Sequence, residues 1–266
     1  MPVINFFKDI FEKRYVIYGF TKQDFKTRFA GSVLGLLWAF IQPLAMMLIL
    51  WFVFSVGLKM GLTGNIPFPA WFFTAMILWN FVSDFILTTT NVFGEYSFLV
   101  KKINFKISIL PVVKLLSSLV LHGVFVIILV GILIFYGYYP NLYWFQAFYY
   151  LFGAIILSLG MAWMMASVNV FMKDITQVVG IVIQFGFWMT PIVWPASIVP
   201  EKYHVYLKLN PVYYLVEGYR QSFLFKIPFW EVSLWQTIYF WGLSFFFLFF
   251  GIFIFRRLRP HFADVL

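Results

Sequence analysis

The sequence predicts an all-α, polytopic membrane protein with six transmembrane helices, and three observations carry that expectation. Of 266 residues, 63% are hydrophobic and only 11% charged, with a mean hydropathy of +0.90. So small a charged fraction cannot give a soluble domain of this size its polar skin. The apolar runs are unbroken and approach or exceed the roughly 20 residues that a helix needs to cross hydrocarbon. They are also far longer than the alternating segments of about 10 residues that build a membrane barrel, the other arrangement lipid admits.

Residues 1–32 read as an N-terminal amphipathic interface helix and 33–266 as the six-span domain. Phe6, Phe7, Phe11, Tyr15 and Tyr18 alternate with Lys8, Lys13, Arg14, Lys22 and Lys26 at roughly helical intervals. That is the pattern of a helix lying in the membrane interface, apolar face down. It has no compact apolar core followed by a small-residue cut site, so it does not read as a cleaved signal. Between Phe25 and Leu44 a basic, water-facing segment turns into the first span. Lys26 and Arg28 come first, then Gly31, Ser32 and Gly35, small residues that let a neighbouring backbone approach. Trp38, Gln42 and Pro43 follow, with Gln42 placed where hydrocarbon penalises it unless it faces protein or water.

Spans are expected at about 33–58, 68–93, 107–137, 146–171, 178–194 and 234–255. With an even number and the N-terminus inside, Lys101, Lys102, Lys106, Lys173, Arg256, Arg257 and Arg259 all fall inside. Only Lys59, Lys202, Lys208, Arg220 and Lys226 fall outside, an asymmetry that supports N-in, C-in topology. Glu95–Phe105 is an amphipathic piece long enough for about three helical turns, read as a cytoplasmic helix between two spans. On the other side, the stretch from Pro195 to roughly Ile227 carries Pro200 and Pro211, with Pro228 at its end, among many aromatics. It is too broken to span and too apolar for a solvated loop, and a re-entrant helical hairpin reconciles the two.

The chemistry-bearing residues exclude several classes. The net charge of +9 flanks the spans and does not gather on one face, which argues against a nucleic-acid partner. No cysteine is present for a disulfide or a thiolate metal site. His122, His204 and His261 are too far apart in sequence for a spacing-based metal assignment. No GxxxxGK[ST] loop is present to cradle ATP, so no cofactor is expected in this chain and an ATP motor would be another polypeptide.

Asn80, Asp84, Thr88 and Asn91 recur on one face of the second span, and Gln177, Gln184, Trp188 and Pro191 on a comparable face of the fifth. Such stripes serve either as interhelical packing contacts or as the wall of a hydrated path. Trp38, Trp79, Trp163 and Trp188 lie inside spans, beyond an interfacial belt; such rings either face lipid and core or offer aromatic planes to the C–H faces of sugars. Lys22, Lys26 and Arg28 set topology, or receive a diphosphate, for which arginine offers a bidentate fork. Asp84 and Lys114 fall at similar depth in consecutive spans and are expected to pair.

Arg28-Phe29-Ala30-Gly31-Ser32, Leu34-Gly35 and Trp38, closing on Pro43-Leu44, resemble the opening motif of ATP-binding-cassette type 2 exporter permeases. Within that family they are similar to the subfamily that exports lipid-linked polysaccharides such as O-antigen and teichoic acid. Phe171-Met172-Lys173-Asp174-Ile175, Thr190-Pro191-Ile192, Asn210-Pro211 and Tyr219-Arg220 are similar to later motifs of that family, in the same order. Lys173 replaces its usual arginine, and Phe105-Lys106 stands where Phe-Pro is common.

The resemblance implies the membrane half of an exporter in the inner (cytoplasmic) membrane, a homodimer above two ABC ATPase subunits that bind ATP and Mg. Glu95, Phe98, Leu99, Lys101 and Lys102 would dock the ATPase, together with the N-terminal helix. Trp38, Gln42, Asn80, Asp84, Thr88, Gln184 and Trp188 would line the substrate path, with Lys22, Lys26 and Arg28 taking the diphosphate. The substrate would be a polysaccharide on polyprenyl diphosphate, with the outer hairpin closing its exit. Alternatives are a type 2 exporter of a drug or small lipid, a membrane enzyme acting on lipid-linked sugars, and an ion-coupled carrier.

Overall fold

A computed structural model describes residues 12–28, 32–63, 65–100 and 106–266, and most of them are helical. In α1 (Arg14–Arg28), Ile17, Thr21 and Asp24 recur three and four residues apart and form one buried face. Ile17 and Phe20 pack on Ile109 and Val113, while Tyr15 and Tyr18 stay exposed. One face of α1 therefore meets protein, leaving the opposite face for the membrane surface suggested by the sequence. Residues 1–11 of that expected interface helix lie outside the described residues.

Gly35 takes φ +48, a left-handed geometry that glycine adopts without steric penalty, at the turn into a 3₁₀ segment (Gly35–Leu37). This segment continues as α2 (Trp38–Trp51), where Pro43 removes one backbone donor, and then as π turns at Phe52–Gly57. A two-residue hairpin, β1 (Leu62–Thr63) and β2 (Ile66–Pro67), leads into α3 (Phe68–Thr90). Pro69 sits in the first turn of α3, where its missing N–H breaks no helical bond.

Two one-turn helices, α4 (Val92–Glu95) and α5 (Ser97–Val100), follow. The long helices α6 (Leu110–Phe135) and α7 (Gln146–Asn169) come next, then the shorter α8 (Ile175–Met189). Short helices α9 (His204–Leu209) and α10 (Pro211–Arg220) fill the expected hairpin region, followed by α11 (Leu234–Leu258) and α12 (Phe262–Val265).

α3 is the buried centre of the bundle and packs against α6, α7, α8 and α10. α7 and α11 meet closely through two glycines. A Cβ on Gly251 would lie 2.2 Å from the Gly160 carbonyl oxygen, and one on Gly160 would lie 2.4 Å from the Leu248 nitrogen. Small residues at such a crossing let backbones touch.

Among the described residues, five helices are long and apolar enough to cross a membrane: Gly35–Gly57, Phe68–Thr90, Ile107–Phe135, Leu142–Asn169 and Leu234–Val265. The expected fifth span is represented by α8, whose 15 residues reach about 22 Å at 1.5 Å per residue, against a hydrocarbon core of about 30 Å.

Candidate functional site

Helices α1, α2, α3 and α6 leave a cavity of about 670 Å³ between them, with the α4–α5 connection at its edge. Residues spaced four apart supply its polar walls: Trp38 and Gln42 from α2, Asn80, Asp84 and Thr88 from α3, and Lys114, Ser118 and His122 from α6. Four residues is slightly more than one turn, so each set is a stripe on its helix. α1 adds Asp24 and Arg28, again four apart.

Five charges alternate around this space. Glu95 Oε2 lies 2.7 Å from Lys114 Nζ, which donates to Asp24 Oδ1 at 2.6 Å. The second oxygen of Asp24 is 3.8 Å from Arg28 Nη2. Arg28 Nη1 donates to Asp84 Oδ1 at 3.2 Å, and Ser118 Oγ donates to Asp84 Oδ2 at 2.5 Å. Asp24 and Lys114 are almost completely buried. A lone charge so placed costs several kcal/mol; here each cation meets two carboxylates. Tyr96, beside Lys114 and outside the long helices, has its phenol raised above the ordinary range, by burial first and by the Asp24 and Glu95 charges second.

The expected Asp84–Lys114 pair is not formed. Both residues line the same cavity, but α1 supplies the partner for each: Arg28 to Asp84, Asp24 to Lys114. Ser118 and His122 complete a polar stripe with Lys114, whose i, i+4, i+8 spacing inside an apolar helix is the signal for it in the sequence.

The structure gathers Arg28, Trp38, Gln42, Asn80, Asp84 and Thr88 at this cavity. Within it, Asn80 also donates to the Met47 sulfur, and Thr88 to the Asp84 carbonyl. Asn91 leaves the stripe and bonds Asn169 at the end of α7. Gln184 and Trp188 lie elsewhere, exposed on α8. Lys22 and Lys26 are exposed on α1, whereas Arg28 is held between two carboxylates. Of the expected docking residues, Phe98 is 55% exposed, Leu99 turns into the core at 6%, and Glu95 is engaged with Lys114. An amphipathic segment buries its apolar side, and for Leu99 that side is the bundle itself. Lys101 and Lys102 lie outside the described residues.

A second polar cluster explains the later motifs. Asn210 caps α10 through Val212 N–H at 3.0 Å and donates to Thr190 Oγ1 at 2.8 Å. Arg220, counted as a loop cation from sequence, is fully buried. Its Nε and Nη2 donate to the Trp71 and Ile192 carbonyls, its Nη1 to Glu217 at 2.5 Å, and its guanidinium lies 3.4 Å from the Trp71 ring centre. Next to it, the Tyr219 hydroxyl is 3.0 Å from His122 Nε2, so the cluster reaches the cavity. Phe29, Ala30 and Gly31 of the opening motif lie outside the described residues.

Comparison with known proteins follows the same residues. The pattern of the ABC-2 type transporter family matches residues 15–224. The chain is 25% identical over 251 residues to an O-antigen export system permease protein, RfbA, of Klebsiella pneumoniae, covering 92% of this chain and 93% of the relative. A second RfbA of that organism matches with the same identity and coverage. RfbA of Myxococcus xanthus is 24% identical over 229 residues, 83% of this chain and 85% of the relative. The family match contains every described residue of the cavity and of the Thr190–Arg220 cluster, and the chain belongs to the ABC-2 type transporter family, as a membrane permease and not an enzyme.

Proposed function

We propose that this permease exports polysaccharide carried on polyprenyl diphosphate, from the cytoplasmic to the outer face of the inner membrane, driven by a separate ATPase subunit. The observation that carries the proposal is the cavity, where the partly exposed Trp38 ring stands beside Gln42, Asn80, Asp84 and Thr88. A sugar offers C–H faces to an aromatic plane and hydroxyls to amides, hydroxyls and a carboxylate. The names of the RfbA relatives support the same substrate class.

In this reading α8 and the turn after it complete a sixth crossing, so both termini are cytoplasmic, in line with the positions of Lys106, Lys173, Arg256 and Arg257. Two copies pair through the exposed apolar faces of α2 and α8, which brings Gln184 and Trp188 toward the path. Two ATPase subunits, holding ATP and Mg, dock at residues 95–105, where Phe98 is the exposed apolar contact. Residues 195–227 form the outer hairpin that closes the exit.

Lys22 and Lys26 are the exposed cations for the diphosphate, with Arg28 at their inner end. Replacing both lysines by alanine should raise the substrate concentration for half-maximal transport about tenfold, the effect of losing a charge-assisted phosphate contact. Arg14→Ala, an exposed cation on the same helix, should change it little. Equal effects would leave the lysines a topological role only.

Trp38→Ala is the test of the path. In proteoliposomes holding the permease with its ATPase, export of lipid-linked polysaccharide should fall several-fold, up to about tenfold, while Trp38→Phe retains most of it. Wild-type rates in Trp38→Ala would sink the assignment of the path. Transport of a drug or simple lipid in place of the polymer would sink the substrate class.

A further inference from the structure

The alternating charges around the cavity have a particular distribution of exposure. Their middle is buried: the Asp24 and Lys114 side chains are 3% and 5% exposed. Their ends are not. Glu95 is 41% exposed on the α4–α5 segment, and Asp84 is 33% exposed on the cavity wall. The five groups come from four elements: Glu95 from α4, Lys114 from α6, Asp24 and Arg28 from α1, and Asp84 from α3.

We infer that Lys114 is a positioning residue that passes displacement of the Glu95 segment, through Asp24 and Arg28, to the Asp84 wall of the cavity. The inference rests on the reading that the ATPase docks at residues 95–105. Lys114 is shared between two carboxylates, at 2.6 and 2.7 Å. If docking draws Glu95 away, the whole ammonium charge falls to Asp24. Asp24 then holds Arg28 less, a contact already stretched to 3.8 Å, and Arg28 settles on Asp84. Charge on the cavity wall changes without any long-range deformation of a helix, because attraction between ions falls with distance and is strong away from water. The segment that must move is suited to it, being two one-turn helices interrupted at Tyr96.

The chain has no cysteine, so Thr88→Cys provides a single thiol in the cavity. In the full-length permease reconstituted with its ATPase, ATP should change the rate at which a soluble maleimide labels this thiol. Expressed per ATP hydrolysed, that change should fall at least fivefold with Glu95→Gln or Lys114→Met and survive Lys114→Arg. Lys114→Met leaves the buried Asp24 with only its 3.8 Å contact to Arg28 and should fold poorly, so the Asp24→Asn/Lys114→Met double variant is measured beside it. Removing both charges should recover folded yield without recovering the ATP-dependent change. Recovery of both would reduce Lys114 to a structural contact. An unaltered response in Glu95→Gln, or no ATP-dependent labelling in Thr88→Cys alone, would overturn the relay. Failure of the wild-type chain to copurify with the ATPase would instead refute the docking reading, and the relay with it.

Discussion

Gly251→Ala is expected to lose most of its folded protein in detergent, although it adds only one methyl to a helix. The reason is backbone geometry at the α7–α11 crossing. The new Cβ would lie 2.2 Å from the Gly160 carbonyl oxygen and 3.0 Å from its carbon. A flexible side chain could swing aside, but a helical carbonyl cannot, so the two helices must separate along the most extensive contact in the bundle. Overpacking of cores typically costs about 1–3 kcal/mol; contact with backbone places this change at or above the top of that range. Gly160→Ala should behave alike, since its Cβ would meet Leu248 N at 2.4 Å. The control lies on the same helix. A Cβ at Gly242 has nothing within 4 Å, so Gly242→Ala should be neutral or stabilising by up to about 1 kcal/mol through helix propensity. Thermal unfolding followed by size-exclusion chromatography compares them, and equal midpoints for Gly251→Ala and Gly242→Ala would contradict the crossing.

Five of the expected spans were legible because an apolar run declares itself by length, and the α3 stripe because polar groups four apart stand out in such a run. What periodicity tells is that residues share a face; it does not tell what that face touches. Asn80, Asp84 and Thr88 on α3 look toward the cavity, whereas Gln184 and Trp188, with equivalent spacing on α8, look outward. Asp84 and Lys114 do border one cavity, but their partners were not legible. These come from α1, which precedes Lys114 by 90 residues at Asp24 and Asp84 by 56 at Arg28. The cations dominate the sequence of α1, and nothing in their pattern marks Asp24, the one carboxylate on the helix's buried face, as a partner for Lys114. Leu99 shows the same limit: amphipathicity identified an apolar side, and the bundle claimed it.

Arg220→Ala is expected to be the most damaging change in the region that follows α8. From sequence Arg220 is one of the cations outside the spans, within the expected 195–227 hairpin. In the structure it has no exposed surface and joins three segments: Trp71 at the start of α3, Ile192 in the turn after α8, and Glu217 within α10. Truncation strands two carbonyls and a carboxylate, removes the cation from the Trp71 face and leaves a hole. Breaking a buried ion pair from one side costs about 3–5 kcal/mol. Glu217 keeps 26% of its side chain exposed, so the lower end, about 3 kcal/mol, is the expected loss. Arg220→Lys keeps the charge but not the planar fork; an ammonium has no group in the guanidinium plane to bridge Trp71, Ile192 and Glu217 together, and most of the loss should remain. Glu217→Gln/Arg220→Met removes both charges and keeps much of the volume, and should recover part of the stability. The measurement is unfolding midpoint together with limited proteolysis at residues 195–210, which should become cleavable in Arg220→Ala before the long helices do. A midpoint within 2 °C of wild type, with that segment still protected, would mean that Asn210 and Thr190 hold it unaided.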